Sequence, residues 1–430
     1  MAMGVFFLIF FAVIIIGAPM ALVFGGMSFL PNLLSASVPY TADAAVRSMF
    51  SSLNSFTMLA VPLFMLSGII MARGGISKKL FDFFAYFIGN KTAGLPCCVV
   101  LTCMFYGAIS GSSPATVSAV GSMCIPFLVG LNYDKVFSTA IVTVAGGLGV
   151  IIPPSISYIV YAGASDTSPA DLFIAGVFPG MLISLCLCVC CYMQCRKSGE
   201  DKQKLQENYE ELHKEGFLHV FMDSFAALLT PVIILGSIYG GICSPTEAAA
   251  VSVIYALIVS LFVYKSLKFS DVWVMFVEGA KSYIAILFII ASATAFGRCL
   301  TILQYPQQVS AFILGNIHNK VAIILVINLI LLIFGMIMDN IPNIMILTPI
   351  LLPIAKAIGM DPVHFGIMMT CNLAIGMVTP PMGINTYVAS GMTGIPVLKI
   401  AKATIPFIIA FLIALVAISF VPGISLALVG

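Results

Sequence analysis

The chain has 430 residues, 61% of them hydrophobic and only 8% charged, with a formal net charge of +2. That composition excludes an ordinary soluble domain, where about a quarter of residues are charged, and it marks an integral membrane protein. Roughly 20 apolar residues cross a bilayer, so the length allows on the order of ten crossings. No basic stripe with interleaved aromatics points to nucleic acid.

The first apolar runs cover residues 3–16 and 18–34, interrupted at Pro19. They lack the basic region of a secretory leader, so the first is expected to stay as a span. A span follows at about 55–72, then an amphipathic piece at 76–90 that is too polar to cross. Residues 93–130 carry Ser110-Gly111-Ser112-Ser113-Pro114 at their middle and charge at both ends, at Lys91, Asp134 and Lys135. This pattern predicts a re-entrant hairpin with a polar tip at depth, tolerable only where the backbone is buried in protein or lines a wet cavity. A span broken at Pro153-Pro154 is expected over 136–166, and a last one over 170–195.

Residues 196–216 hold five basic and six acidic side chains and read as a solvated helical linker. Beyond it the order recurs: runs at 220–242 and 245–264 interrupted at Pro245, a span at 282–303, and an amphipathic piece at 305–318. Then come a hairpin over 321–357, a span over 363–392 broken at Pro380-Pro381, and a last span over 402–422. The landmarks keep register, with 42 positions from Gly107 to Gly149 and 41 from Gly335 to Gly376. Apolar segments broken by Gly and Pro at matching points of two halves point to a transporter's binding site. The expected fold is an all-α polytopic membrane protein of two repeats, 1–195 and 217–430, joined by a charged linker.

Counting each hairpin as no net crossing leaves five crossings per half, so the repeats have inverted topology. With the linker cytoplasmic, its side also collects Arg73, Lys78, Lys79, Lys91, Lys135, Lys265, Lys268, Lys281, Lys399 and Lys402. The opposite side keeps Arg47, Lys320 and Lys356. That asymmetry obeys the positive-inside rule. Both termini are then expected outside, with the first hairpin entering from the cytoplasm and the second from the outer face.

The chemistry concentrates at the breaks. Serine hydroxyls and the carbonyls freed before a proline are hard oxygen ligands for a monovalent cation, and a helix starting after a tip aims its positive dipole end there. The bland alternative is that small residues merely let helices approach closely. In the second tip, Asp339-Asn340-Ile341-Pro342-Asn343, the carboxylate costs about 2.5–3.5 kcal/mol at mid-membrane. It is read as a cation ligand, a companion for Arg298, or an N-cap ahead of Pro342. Thr379 and Asn385 accompany the second Pro-Pro break. Arg298 either snorkels to the outer interface or grips a substrate carboxylate in two-pronged fashion. Candidate substrate contacts are therefore Arg298, Ser113, Asn343 and Asn385. Ser244-Pro245-Thr246-Glu247 has the spacing of a capping box. Cys186, Cys188, Cys190, Cys191 and Cys195 have no neighbouring histidine and are read as small apolar thiols. No phosphate loop, paired metal-binding histidines or nucleophile elbow is present, so no enzyme is expected.

The motifs G-A-I-S-G-S-S-P-A-T-V, G-V-I-I-P-P-S, S-P-T-E-A-A-A and G-M-V-T-P-P-M-G-I-N lie from Gly107, Gly149, Ser244 and Gly376. Together they resemble those of the large membrane subunit of TRAP (tripartite ATP-independent periplasmic) transporters, the DctM-like family, over essentially the whole chain. The resemblance implies an elevator-type fold of the ion-transporter superfamily. It also implies a small four-helix (DctQ-like) membrane subunit, expected as a separate chain, and a periplasmic substrate-binding protein. It further implies sodium-driven import of an organic acid, of the C4-dicarboxylate or sialic acid type, across the bacterial inner membrane. Carried over by motif, sodium would fall on Ser110, Ser112, Gly149 and Pro153 in the first half and on Asp339, Gly376 and Thr379 in the second. The competing readings are a self-sufficient sodium/anion symporter of the same build and a passive channel. A channel would need a continuous polar path rather than polar residues gathered at two breaks.

Overall fold

A computed structural model of the chain describes residues 3–34, 39–214 and 216–429. The first two residues and residues 35–38 of the expected first repeat, Glu215 of the expected linker and the last residue of the second repeat lie outside them. All regular elements among the described residues are helices. Eight of these are long and apolar enough to cross a membrane, or up to nine if one bent pair counts as a span.

The first half runs through α1 (Met3–Ile15), α2 (Met20–Leu34), α3 (Ala42–Leu53), α4 (Ala60–Arg73) and α5 (Ile76–Ile88). It continues with α6 (Gly94–Ser110), α7 (Ser113–Gly130), α8 (Lys135–Ala145), α9 (Ile156–Ser165) and α10 (Pro169–Ser198). After α11 (Lys202–Lys214), the second half holds α12 (Phe217–Tyr239), α13 (Pro245–Ile258), α14 (Phe269–Ile302) and α15 (Tyr305–Asn316). Next come α16 (Lys320–Ile337), α17 (Asn340–Ala357), α18 (Pro362–Gly376), α19 (Ile384–Thr393), α20 (Val397–Phe420) and α21 (Pro422–Leu426). Within the stretches read as hairpins, α6 and α7 are joined by a turn at Gly111-Ser112 and α16 and α17 by one at Met338-Asp339, so that Asn340 to Asn343 of the expected second tip form the first turn of α17. Both Pro-Pro steps interrupt a helix, and both are cis.

Two packed groups emerge. One is a scaffold in which α2, α3 and α4 lie against α14, α4 against α13, and α5 against α12. Phe6, Phe10, Phe24 and Phe296 stack at its centre, with Phe10 and Phe296 ring centroids 5.3 Å apart. The other is a core of hairpins and broken helices closed by α10 against α20. Within this core α17 is 72% buried and α16 only 28%. One arm of the second hairpin therefore carries the interior and the other faces outward. The groups meet through α5 and α4 on α6, and through α14 and α15 on α17.

Two expectations are corrected. The span expected over 282–303 is the second half of one continuous helix, α14, of 34 residues. Its start is set at Lys268, whose backbone amide donates to the Asp271 carboxylate at 2.9 Å. The corresponding stretch of the first half is broken instead: Ala42–Leu53 and Thr57–Arg73 meet at a bend of 64°. The linker is not simply solvated. Glu200 accepts from the Ala93 amide at 3.0 Å and from the Tyr133 hydroxyl at 2.5 Å, and Asp201 accepts from Asn132 at 2.8 Å. The His213 ring stacks on Tyr86 of α5 at 3.9 Å. Charge suited to water is equally suited to the free amides and turn residues at a hairpin's base.

Candidate functional site

The tips are held by backbone-on-backbone contact that only glycine permits. A β-carbon on Gly107 would lie 2.8 Å from the Gly149 Cα, and one on Gly376 would lie 2.5 Å from the Gly335 Cα. Each hairpin's first arm is thereby locked to the broken helix of its own half. Gly111 ends α6 in the left-handed region, φ +59°, which costs glycine nothing. The Pro154 carbonyl stands 3.1 Å from where a Gly111 β-carbon would be.

Oxygen atoms gather at the first tip. Ser110 Oγ lies 2.9 Å from Thr116 Oγ1, and the Thr116 hydroxyl donates to the Ser112 carbonyl at 2.8 Å. A β-carbon on Gly149 would stand 2.6 Å from that carbonyl oxygen. The structure thus brings Ser110, Ser112 and Gly149 together, with Pro153 adjoining the Pro154 carbonyl that reaches the tip. Thr116, one turn into α7, completes the cluster and was not singled out from sequence.

At the second tip the half-buried Asp339 caps α17, its carboxylate accepting from the Asn340 amide at 2.7 Å. It makes no ion pair with Arg298, which lies on an exposed face of α14 close to that helix's end. The companion reading of Asp339 is therefore corrected, because capping already aims the carboxylate along its own helix. The Thr379 hydroxyl donates to the Ile375 carbonyl at 2.7 Å, and the Met382 amide donates to the Met336 carbonyl at 3.1 Å, pinning the break against the tip beside Gly376. Asn343 donates to the Phe334 and Met338 carbonyls, 3.2 and 3.1 Å away, and so straps the hairpin shut. Ser244 and Glu247 form the expected capping box at the start of α13.

The two halves then cross. Asn385, second residue of α19, donates to the hydroxyl of Ser113, first residue of α7, at 2.7 Å. Asn340, first residue of α17, donates to the hydroxyl of Ser157, second residue of α9, at 3.2 Å. The same pair of positions, the start of a hairpin's second arm and the start of the other half's broken-helix segment, is joined twice, each time with the asparagine donor in the second half and the serine acceptor in the first. Asn340, Asn343 and Asn385 each keep a buried side-chain oxygen that accepts no hydrogen bond. Buried acceptors of this kind are rare unless something else supplies the donor or cation.

A cavity of about 460 Å³ reaches the first tip. It runs from Ser110 and Ser112 past Ser118 and Ser122 of α7 to Arg73 and Glu278. The signal in sequence was the helical spacing of small polar residues after Ser112, which alone does not separate a wet wall from a packing stripe.

A family model described as "Tripartite ATP-independent periplasmic transporter, DctM component" matches residues 7–424. The chain belongs to the DctM family. It is 40% identical to the "C4-dicarboxylate TRAP transporter large permease protein DctM" of Pseudomonas aeruginosa over 94% of this DctM chain and 93% of that protein. It is 39% identical over 97% of its length to the "Isethionate TRAP transporter permease protein DctMQ" of Oleidesulfovibrio alaskensis, but spans 65% of that relative. It is 33% identical over 95% of its length to the "Sialic acid TRAP transporter large permease protein SiaM" of Vibrio cholerae, covering 93% of it. Its fold is similar to that of the Alcanivorax borkumensis YdaH transporter, with TM-score 0.62 and 14% identity over 94% of this chain and 97% of that one. It is likewise similar to Neisseria gonorrhoeae MtrF, with TM-score 0.63 and 15% identity over 93% and 94%. This DctM chain is a multi-pass permease of the bacterial inner membrane and not an enzyme.

Proposed function

We propose that this chain is the large transmembrane subunit of a sodium-coupled, binding-protein-dependent transporter that imports an organic acid by an elevator motion. It works beside a small four-helix membrane subunit and receives its substrate from a periplasmic binding protein. Residues 1–195 and 217–430 are its inverted repeats and 196–216 the cytoplasmic linker. The observation that carries the reading is the matched pair of contacts Ser113–Asn385 and Asn340–Ser157. Such reciprocity is what a pseudo-twofold axis at the binding site produces, and it leaves buried amide oxygens uncommitted.

In this reading sodium, as cargo, is held by Ser110, Ser112, Gly149 and Pro153 at one tip and by Asp339, Gly376 and Thr379 at the other. Ser113, Asn343 and Asn385 hydrogen-bond the acid, and Arg298, which has no carboxylate partner among the described residues, pairs with its charge. The relatives' names give an isethionate, a C4-dicarboxylate and a sialic acid, all organic anions. Two sodium ions entering with a singly charged acid carry one net positive charge inward, a gain of about 2.3 kcal/mol per 100 mV.

The test is uptake of radiolabelled succinate, isethionate and sialic acid into liposomes holding both membrane subunits, with and without the binding protein and a sodium gradient. Concentrative uptake requiring both is expected. Asp339→Ala and Arg298→Ala should each reduce it at least tenfold while the protein still elutes as a folded monodisperse species. Wild-type uptake in both variants would refute the site, and full uptake without the binding protein would establish the self-sufficient symporter instead.

A further inference from the structure

The cavity that reaches the first tip is also lined by an ion pair. Arg73, at the last position of α4, and Glu278 of α14 stand in its wall, with Arg73 Nη2 2.5 Å from Glu278 Oε2. A second cavity of about 450 Å³ shares Arg73, Glu278 and Ser282 with it and is lined also by Trp273 and Lys281. One ion pair is thus shared by the walls of two spaces, one reaching Ser110 and Ser112 and the other bordered by Lys281. Its side chains are 44% and 47% exposed, so each is wet on part of its surface and neither is fixed by burial. An exposed pair of this kind is worth little to folding, which leaves its position as the feature to be explained.

Resting on the import reading above, we propose that Arg73 and Glu278 form the cytoplasmic gate of the pathway. The departing organic anion replaces the Glu278 carboxylate on Arg73 and is then drawn onward by Lys281. A guanidinium binds any carboxylate or sulfonate through paired N–H donors, so the exchange trades one anionic partner for another and never leaves the arginine bare. The gate lies wholly on the scaffold and is distinct from the tip residues that bind the cargo.

The proposal predicts an effect on one side of the membrane only. Liposomes holding the complete transport complex are used for uptake of radiolabelled succinate, isethionate and sialic acid, and for counterflow with the same acids inside. Arg73→Gln should raise the internal half-saturating concentration roughly tenfold, the size of one lost charge-assisted contact, and leave the external value unchanged. Glu278→Gln should lower the internal value and slow release. The swapped double variant Arg73→Glu/Glu278→Arg keeps the pair and any folding contribution, and should return within about threefold of wild type. Equal shifts on both sides, or no shift in either single variant while wild type transports, would reduce the pair to a surface contact and overturn the gate. A wild-type complex that imports none of the three acids would sink the import reading itself, and the gate with it.

Discussion

At the scale of single residues, the tips depend on atoms that are missing. Gly149 and Gly376 have no β-carbon; one on Gly149 would meet the Thr116 hydroxyl and the Ser112 carbonyl, and one on Gly376 would meet only Gly335 backbone, which cannot rotate away as a side chain would. A methyl group on Gly149 would stand 2.6 Å from the Ser112 carbonyl oxygen, and one on Gly376 would stand 2.7 Å from that of Gly335. Gly149→Ala and Gly376→Ala should each destabilise the chain by about 1–3 kcal/mol through overpacking. They should also push apart the proposed sodium ligands. The check is a thermal melt in detergent with and without sodium, in which the variants should lose most of the sodium-dependent rise in melting temperature. An unchanged rise would show that these contacts do not shape a cation site. By contrast, losing the Ser113 hydroxyl should be milder, since Asn385 also donates to the Thr143 carbonyl at 3.2 Å.

At the scale of elements, hairpins and broken spans were legible because a break inside an apolar run has few causes. Asp339 caps the second outgoing arm, Ser112 holds the corresponding position of the first without a side-chain capping bond, and Pro153 and Pro380 remove helical amides. The family motifs added the cation and partners, which no spacing supplies. What stayed hidden were contacts between distant elements. Charge at Glu200 reads as solvation until Ala93 and Tyr133 are seen beside it. The unbroken course of α14 against the bend before α4 depends on tertiary packing rather than propensity. The linker's docking is itself testable. Glu200→Ala removes the acceptor of the buried residue Ala93 and should cost about 1 kcal/mol, water replacing part of the bond at this half-buried side chain. Hydrogen exchange at the start of α6 should quicken while α16–α17 stays protected; a uniform change would argue against a local clamp. Acid should act on the neighbouring contact, made by Asp201. The Lys204 amide and then the Asn132 side chain hold the Asp201 carboxyl below its ordinary value. Stability from that carboxylate is therefore present above the unfolded carboxylate range and is lost as pH falls through the folded value.

At the scale of the molecule, an elevator requires the core to slide past the scaffold, and the contact between α4 and α6 bears on whether it does. Gly68 of α4 faces the first tip so closely that a β-carbon there would lie 3.0 Å from the Ser110 Cα. The Tyr106 hydroxyl of α6 also donates to the Gly68 carbonyl at 3.3 Å. Here the scaffold's backbone lies directly against a proposed sodium ligand. A leucine at position 68 would occupy the space that the tip fills, so the arrangement described could form only with the hairpin displaced along α4. If transport cycles through this arrangement, Gly68→Leu should lower uptake at least tenfold. Sodium should still raise the melting temperature, because the proposed ligands all belong to the core. A fixed core with a local gate makes the opposite prediction, since the tip would shift by an ångström or two and uptake would persist near the wild-type rate. Gly68→Ala, whose methyl group needs only a few tenths of an ångström, should fall between the two and grade the effect by side-chain size.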